Sequence, residues 1–226
     1  MSNKLILLAV FVVSMLLMAF SYDKKKKVVF FGDSITQAGA RPGGYIQLMD
    51  SLITSQVGAG QYELIGAGIG GDKIYDLYLR MEADVLKHNA DIVVIYVGVN
   101  DVWHKASSGT GTDYNKFGRF YEAVVSKLQA SGSKVILCTP AVIGEKTDHS
   151  NQQDGDLNHY SNWIRSFAAQ KNIPLVDLRA GFINYNLKNN PQNKESGILT
   201  TDRVHLTPAG NLFVAEQMWN VIKTIQ

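Results

Sequence analysis

From residue 28 onward, short apolar runs alternate with longer segments whose apolar residues recur at helical spacing. The short runs have the length and composition of buried strands, and they are VVFF (28–31), YELIG (62–66), DIVVIYV (91–97), KVILCTP (134–140) and IPLVDL (173–178). The segments predicted as helices are about 45–57, 74–88, 114–131, 156–171 and 208–225. The stretch 180–201 shows neither pattern, and we expect an irregular surface excursion that leads to the last helix.

This alternation predicts the fold class. Strands that are apolar on both faces and are separated by amphipathic helices are typical of a parallel sheet covered by helices on both sides. The chain shows no internal repeat and no low-complexity linker that would divide it. We therefore predict one α/β domain with three α/β/α layers around a central parallel five-stranded sheet.

The first residues have a different pattern. An uncharged run, LILLAVFVVSMLLMAF (5–20), follows Lys4, and Ala19-Phe20-Ser21 offers small residues at the spacing of a cleavage site. We predict a signal peptide at 1–21, a solvated lysine-rich linker at 22–27 and a domain at 28–226, with export to the periplasm or the outside. The alternative is an uncleaved membrane anchor formed by residues 5–20, because the lysines that follow resist translocation.

Composition limits the possible partners. A chain of 226 residues with 46% hydrophobic residues can bury a substantial single core. The net charge of +2 implies neither a nucleic-acid partner nor a membrane-surface partner, so contact with a membrane is expected only if the N-terminal run stays uncleaved. The single cysteine, Cys138, lies in an apolar run and is predicted to be a buried, inert thiol.

Polar and glycine-rich motifs follow the predicted strands at the end where ligands bind in parallel sheets. Gly32-Asp33-Ser34 follows the first strand, GAGIGGD (66–72) the second and Gly98-Val99-Asn100-Asp101 the third, while TDRVHLTP (201–208) precedes the last helix. A serine, backbone amides in a glycine turn, an asparagine amide and an Asp/His pair are the parts of an acyl-transfer site.

Each motif has a simpler interpretation when it is considered alone. Asp33 and Ser34, or Asn100 and Asp101, could cap a helix or form a turn, and the pair in 202–205 could lie in a surface loop. The glycine turn matches a G-x-G-x-x-G dinucleotide site, but it follows the second strand rather than the first. The occurrence of all four motifs at one edge of the sheet favours acyl transfer.

The same residues resemble the SGNH, or GDSL, hydrolases across roughly 27–226. GDSIT corresponds to that family's GDS block, Gly71 to its glycine, GVND to its GxND block and DRVH to its DxxH block. One departure is Gly66, where many members have asparagine. No G-x-S-x-G elbow is present, which argues against the α/β-hydrolase family.

The resemblance implies a flavodoxin-like SGNH-hydrolase fold and a role for each motif. Ser34 would be the nucleophile, His205 its base and Asp202 the group that orients His205. The backbone N–H groups of Ser34 and Gly71 and the side chain of Asn100 would form the oxyanion hole. No metal and no other cofactor is required by this chemistry.

Two groups of residues outside these motifs are also candidates. Asp33, Trp103 and His104 are a possible part of the substrate pocket, because they adjoin the predicted serine and asparagine. An acidic cluster around a histidine raises the possibility of a metal site, although a solvated loop is favoured; it consists of Asp148, His149, Asp154 and Asp156.

The substrate expected from the resemblance is a short-chain acyl ester, with O-acetyl groups on carbohydrates favoured. The alternative within the family is a lysophospholipase or another lipid-acyl or thioester hydrolase. A secreted binding module without turnover is a third class, but such a protein has no need of Ser34, Asn100, Asp202 and His205 together.

Overall fold

The computed structural model describes residues 25–225, and the predicted signal peptide at 1–21 therefore lies outside the described part. Five parallel strands form one sheet in the order β2-β1-β3-β4-β5. They are β1 (Lys26–Gly32), β2 (Tyr62–Gly68), β3 (Ile92–Tyr96), β4 (Lys134–Cys138) and β5 (Leu175–Val176). The predicted parallel five-stranded sheet is confirmed.

Helices surround this sheet. Among the described residues they are α1 (Ser34–Gly39), α2 (Tyr45–Val57), α3 (Ile74–Asp84), α4 (Val99–Ser107), α5 (Tyr114–Ala130), α6 (Asp154–Lys171), α7 (Leu178–Asn189) and α8 (Pro208–Ile222). Helix α2 packs against α8, and α3 packs against α5. The connection from β1 to β2 runs along the sheet in one direction, and the later connections run in the other direction. Because crossovers between parallel strands are right-handed, the helices of these two sets lie on opposite faces of the sheet, which gives the three-layer architecture.

The central strands carry the core. Every residue of β3 is buried, and the four residues 28–31 of β1 are fully shielded from solvent. Gly32 of β1 pairs with Gly68 on one side and with Tyr96 on the other, so these three strands end at the same level. This common edge positions the site described below.

Several element boundaries differ from the prediction. Helix α3 ends at Asp84 and is followed by a separate 3₁₀ turn, Leu86–His88, where one helix to residue 88 was predicted. The sequence pattern also did not indicate α1 and α4, which have six and nine residues. They are too short to show a clear helical period.

The prediction of an irregular excursion over 180–201 was wrong for its first half. Residues 178–189 form α7, which Asp177 caps by accepting a hydrogen bond from the backbone of Ala180. One glycine and three asparagines weaken the helical pattern there, because these residues have low helix propensity. Burial of Leu178 and Phe182 against the core stabilises the helix nonetheless.

Strand β1 begins at Lys26, two residues before the predicted strand run 28–31. The Lys26 ammonium donates to the carbonyl of Ile225 at 3.1 Å. The Lys27 ammonium donates to the carbonyl of His88 at 2.9 Å. Long lysine side chains can cover apolar surface while their charges find polar partners.

Cys138 is buried, as predicted, and burial raises the pKa of its thiol. Between residues 25 and 225, no helix is both long and apolar enough to cross a membrane.

Candidate active site

Ser34 is the first residue of α1, directly beyond the carboxyl end of β1. Asp33 caps this helix, with its carboxylate accepting the Ile35 N–H at 2.9 Å. A Cβ atom at Gly32 would meet the Tyr96 carbonyl oxygen, and one at Gly68 would meet the backbone around Gln37. These glycines therefore allow the close packing that fixes the position of the serine.

The three predicted catalytic side chains form one hydrogen-bonded chain. Nε2 of His205 lies 2.9 Å from Oγ of Ser34, and Nδ1 of His205 lies 2.7 Å from Oδ2 of Asp202. The separation of serine and histidine is within the reach that a general base requires. Residues 171 positions apart in the sequence are thus brought into direct contact.

Asp202 acts in two ways. Its Oδ1 accepts the backbone N–H groups of Val204 and His205 at 3.1 and 2.8 Å, while Oδ2 faces the imidazole. Partial burial alone would raise the pKa of Asp202, but the hydrogen bonds from His205 hold it below its usual value. The carboxylate is therefore both a loop cap and a partner of the ring.

The loop that carries Asp202 and His205 is held by a hydrogen bond within the loop and by hydrogen bonds from the segment before it to the chain that follows β4. The backbone of Thr201 donates to the His205 carbonyl at 2.7 Å. The buried carboxylate of Glu145 accepts three successive backbone N–H groups, from residues 198, 199 and 200, at 2.9, 2.6 and 2.9 Å. Glu145 was not identified from the sequence. Its one indication there is an acidic side chain directly after the apolar run AVIG (141–144).

Three N–H donors are predicted for an oxyanion hole, from Ser34, Gly71 and Asn100. Within residues 25–225, the backbone N–H groups of Ser34 and Gly71 have no hydrogen-bond acceptor. A Cβ placed on Gly70 would lie 3.9 Å from the Cβ of Ser34, so the glycine loop passes beside the serine. Gly71 has φ +83°, a conformation that favours glycine.

The third predicted donor is the side chain of Asn100, in the first turn of α4. Its Nδ2 donates to the Asp72 carbonyl at 3.0 Å, and an amide nitrogen has a second N–H available. The adjacent Asp101 is fully buried and accepts the N–H of Ile74, at 3.2 and 3.3 Å for its two oxygens. The Asn-Asp pair therefore joins α4 to the start of α3 and forms more than a local turn.

Of the predicted pocket residues, His104 lies at the site. A Cβ on Gly71 would be 3.9 Å from Cε1 of His104, and burial, together with the charge of Lys73, lowers the pKa of this histidine. Trp103 is partly buried, with its ring 5.7 Å from that of His104. Asp33 lies beneath the surface with only 1% exposure, so it supports Ser34 and does not line the pocket.

The acidic side chains considered for a metal site have protein partners. Asp154 pairs with Arg179 at 2.6 Å, Asp156 pairs with Lys105 at 3.4 Å, and Asp148 accepts from Asn193 at 2.6 Å. Over the part of the chain that is described, no three histidines, cysteines or acidic residues are grouped to hold a metal ion.

Burial of Asp33 gives a testable dependence of stability on pH. Burial raises its pKa to about 7, and the charges of Asp101 and Asp72 act in the same direction. The unfolded chain ionises this group near its ordinary pKa of about 4, so folding becomes less favourable as pH rises from about 4 to 7. Asp33→Asn removes this titration and keeps a capping side chain.

From about pH 5 to about pH 8, the free energy of unfolding of Asp33→Asn should rise by about 2–3 kcal/mol relative to that of the wild type. Urea unfolding of both proteins at the two pH values measures this change. An equal difference between the proteins at both pH values would show that Asp33 does not titrate in this window.

Comparison with known proteins gives a family and close structural matches. The model of the GDSL-like Lipase/Acylhydrolase family matches residues 30–212. The crystal structure of an acetyl xylan esterase, AlAXEase, is 66% identical, with a TM-score of 0.85 over 87% of this chain and 99% of that chain. An acetylxylan esterase of Geobacillus stearothermophilus is 29% identical over 84% of this chain and 90% of the relative.

Structures of Axe2, an acetylxylan esterase from Geobacillus stearothermophilus, match at 25% identity and a TM-score of 0.76, over 87% of this chain and 94% of that chain. Three of them are catalytic mutants that replace a serine, an aspartate or a histidine, the aspartate three positions before the histidine. A platelet-activating factor acetylhydrolase IB subunit of Rattus norvegicus is 32% identical over 53% of this chain and 45% of that relative.

These matches confirm the family resemblance that the sequence motifs indicated and the prediction of a carboxylic ester hydrolase. The family model spans the region from β1 to the first turns of α8, which includes the serine, glycine, asparagine and histidine motifs. This chain belongs to the GDSL-like lipase/acylhydrolase family.

Proposed function

We propose that the protein removes O-acetyl groups from xylan-type carbohydrates through an acyl-enzyme on Ser34. The observation that carries this proposal is the hydrogen-bonded chain from Asp202 through His205 to Ser34, with distances of 2.7 and 2.9 Å. Similarity to two acetylxylan esterases supports the acetyl group and the carbohydrate carrier. The catalytic mutants of Axe2 support the same three residue types, with the same spacing from aspartate to histidine.

In the first half of the reaction, Oγ of Ser34 attacks the ester carbonyl carbon while Nε2 of His205 takes its proton. The negative charge that develops on the carbonyl oxygen is met by the N–H donors of Ser34, Gly71 and Asn100, each of which typically contributes about 3–4 kcal/mol. Asp202 stabilises the imidazolium. The carbon–oxygen bond to the sugar then breaks, and His205 returns the proton to the leaving alkoxide.

In the second half, His205 takes a proton from water as the water oxygen attacks the acetyl carbon on Ser34. The same donors meet the oxyanion again. Collapse of this intermediate breaks the bond to Oγ of Ser34, releases acetate and returns the proton to the serine.

An ester panel tests the acyl group and its carrier. We expect kcat/KM to be highest for acetylated xylooligosaccharides and to fall steeply from acetate to decanoate esters of one alcohol. A site built for lipid acyl chains would show the opposite trend, because each buried methylene contributes about 0.8 kcal/mol. Turnover that rises toward decanoate would contradict the proposal, as would glycan binding without hydrolysis of any ester.

Acetylated phospholipid is the second candidate. It is favoured by the similarity to a platelet-activating factor acetylhydrolase subunit, which covers about half of this chain. Both candidates share the acetyl group and differ in its carrier. The panel therefore includes an acetyl phospholipid, and a higher kcat/KM for it than for acetylated xylooligosaccharide would select this candidate.

We also propose that residues 1–21 direct export and are removed. The support is the uncharged run 5–20 after Lys4 and the small residues at 19–21. N-terminal sequencing of the exported protein should give a start near residue 22, and deletion of residues 2–21 should retain the protein in the cytoplasm. A start at Met1 in the membrane fraction would instead indicate the anchor.

A further inference from the structure

Arg80, on α3, is hydrogen-bonded through every N–H of its guanidinium group. The side chain is 14% exposed and makes five hydrogen bonds, which equals the number of N–H donors in arginine. Its guanidinium carbon also lies 4.7 Å from the ring centroid of Phe31. The position of the group is therefore fixed on several sides.

Its acceptors belong to three separate segments of the sheet edge. Nη2 donates to the Gly32 carbonyl at 2.7 Å, both Nη atoms donate to the Ala67 carbonyl at 3.1 Å, and Nε donates to the Asp72 carboxylate at 2.6 Å. The fifth bond goes to Asp84 of the same helix at 3.0 Å. A single planar group thus joins the end of β1, the end of β2 and the glycine loop.

These segments carry the proposed oxyanion donors. Gly32 lies two residues before Ser34, and Asp72 directly follows Gly71. Asp72 also accepts the amide of Asn100 through its carbonyl oxygen, at 3.0 Å. Gly71 and Asn100 are therefore each connected to Arg80 through Asp72, and Ser34 is connected to it through Gly32 and Asp33.

We propose that Arg80 is a positioning residue. It holds the N–H donors of Ser34, Gly71 and Asn100 at the relative positions in which all three can bind the oxyanion. The inference rests on the proposed function, because it assigns those three groups as donors. Without Arg80, the partly buried Asp72 carboxylate loses its charged partner; burial raises the pKa of Asp72, and Arg80 opposes that shift. The glycine loop can then relax away from Ser34.

Lysine cannot replace arginine at this position. An ammonium group has three donors and no planar fork, so it cannot reach two strand ends and a carboxylate together. A displacement of about 1 Å at the reacting atoms can cost about 10²-fold in rate. The loss is expected in kcat, because the donors act on charge that develops in the transition state.

The test compares Arg80→Ala and Arg80→Lys with Arg165→Ala, all assayed with an activated acetate ester. Arg165 also pairs with an aspartate through its Nε, contacting Asp177 at 2.7 Å, but Asp177 caps α7 after β5, three strands along the sheet from the β1 strand that precedes Ser34. We expect kcat to fall about 10²-fold in both Arg80 variants, with KM changed by less than about threefold. Arg165→Ala should lower Tm and leave kcat unchanged.

Addition of methylguanidinium should restore part of the kcat of Arg80→Ala, because it can occupy the vacated position. It should not restore Asn100→Ala, which lacks a donor itself. A folded Arg80→Ala protein with kcat within about twofold of wild type, or with a loss that methylguanidinium leaves unchanged, would overturn the inference.

If Arg80→Ala does not fold, Arg80→Lys decides: reduced kcat at a retained Tm supports the positioning role, and full kcat overturns it. Ser34→Ala, measured beside these variants, separates this inference from the proposed function. An active Ser34→Ala protein would refute the function itself, whereas an inactive one with a fully active Arg80→Ala would refute only the role of Arg80.

Discussion

Ser34→Ala is expected to lower kcat for an acetate ester by about 10⁴-fold or more while the protein keeps its fold. The variant lacks the hydroxyl oxygen that lies 2.9 Å from Nε2 of His205. The oxyanion donors and the substrate pocket remain, so KM should change little. Steady-state kinetics and the melting temperature of both proteins measure this outcome.

Ser161→Ala is a suitable control, because Ser161 lies buried on α6 with a hydroxyl that has no partner among residues 25–225. It should keep its kcat, which would show that loss of a serine hydroxyl is harmless away from the site. Near-normal turnover by Ser34→Ala would refute a mechanism through this serine.

Asp202→Asn should lower kcat by about 10³–10⁴-fold. An asparagine amide directed at Nδ1 of His205 donates a hydrogen bond, so the ring must carry its proton on Nε2. That tautomer cannot accept the proton of Ser34. Lower stability is not expected, because the asparagine oxygen can still accept the N–H groups of Val204 and His205.

The kcat and Tm of Asp202→Asn distinguish the two roles of this residue. A large loss of kcat at an unchanged Tm supports orientation of His205. Full activity would show that Asp202 only caps the loop and that Ser34 and His205 act as a dyad.

The sequence predicted those parts of the fold that follow from a strong local pattern. The β1 and β3 runs are apolar on both faces because both faces are covered, and this pattern identified the parallel sheet. Helix α7 was not predicted, because its glycine and asparagines obscure the pattern and burial of Phe182 supplies the stability that local propensity does not. The start of β1 was predicted two residues too late, because its first two residues are lysines and resemble a solvated run.

The candidate site residues that belong to short motifs could be identified from the sequence, because each motif follows a strand or precedes a helix. Arg80 and Glu145 were not, since neither is in a motif and both act through backbone groups that are distant in the sequence. The burial of Asp33 could also not be predicted from the sequence, because a residue next to the serine can lie either in the pocket or beneath its surface. Only the packing of α1 on the sheet places it beneath.

The central claim is a covalent acetyl intermediate on Ser34, and rapid-quench mass spectrometry tests it most directly. The protein is mixed with an activated acetate ester, quenched in acid during turnover and digested. We predict an acetyl adduct on the peptide that contains Ser34, located on the serine oxygen and absent from Ser34→Ala. Turnover with no adduct on that peptide, or an adduct that persists in Ser34→Ala, would contradict the account.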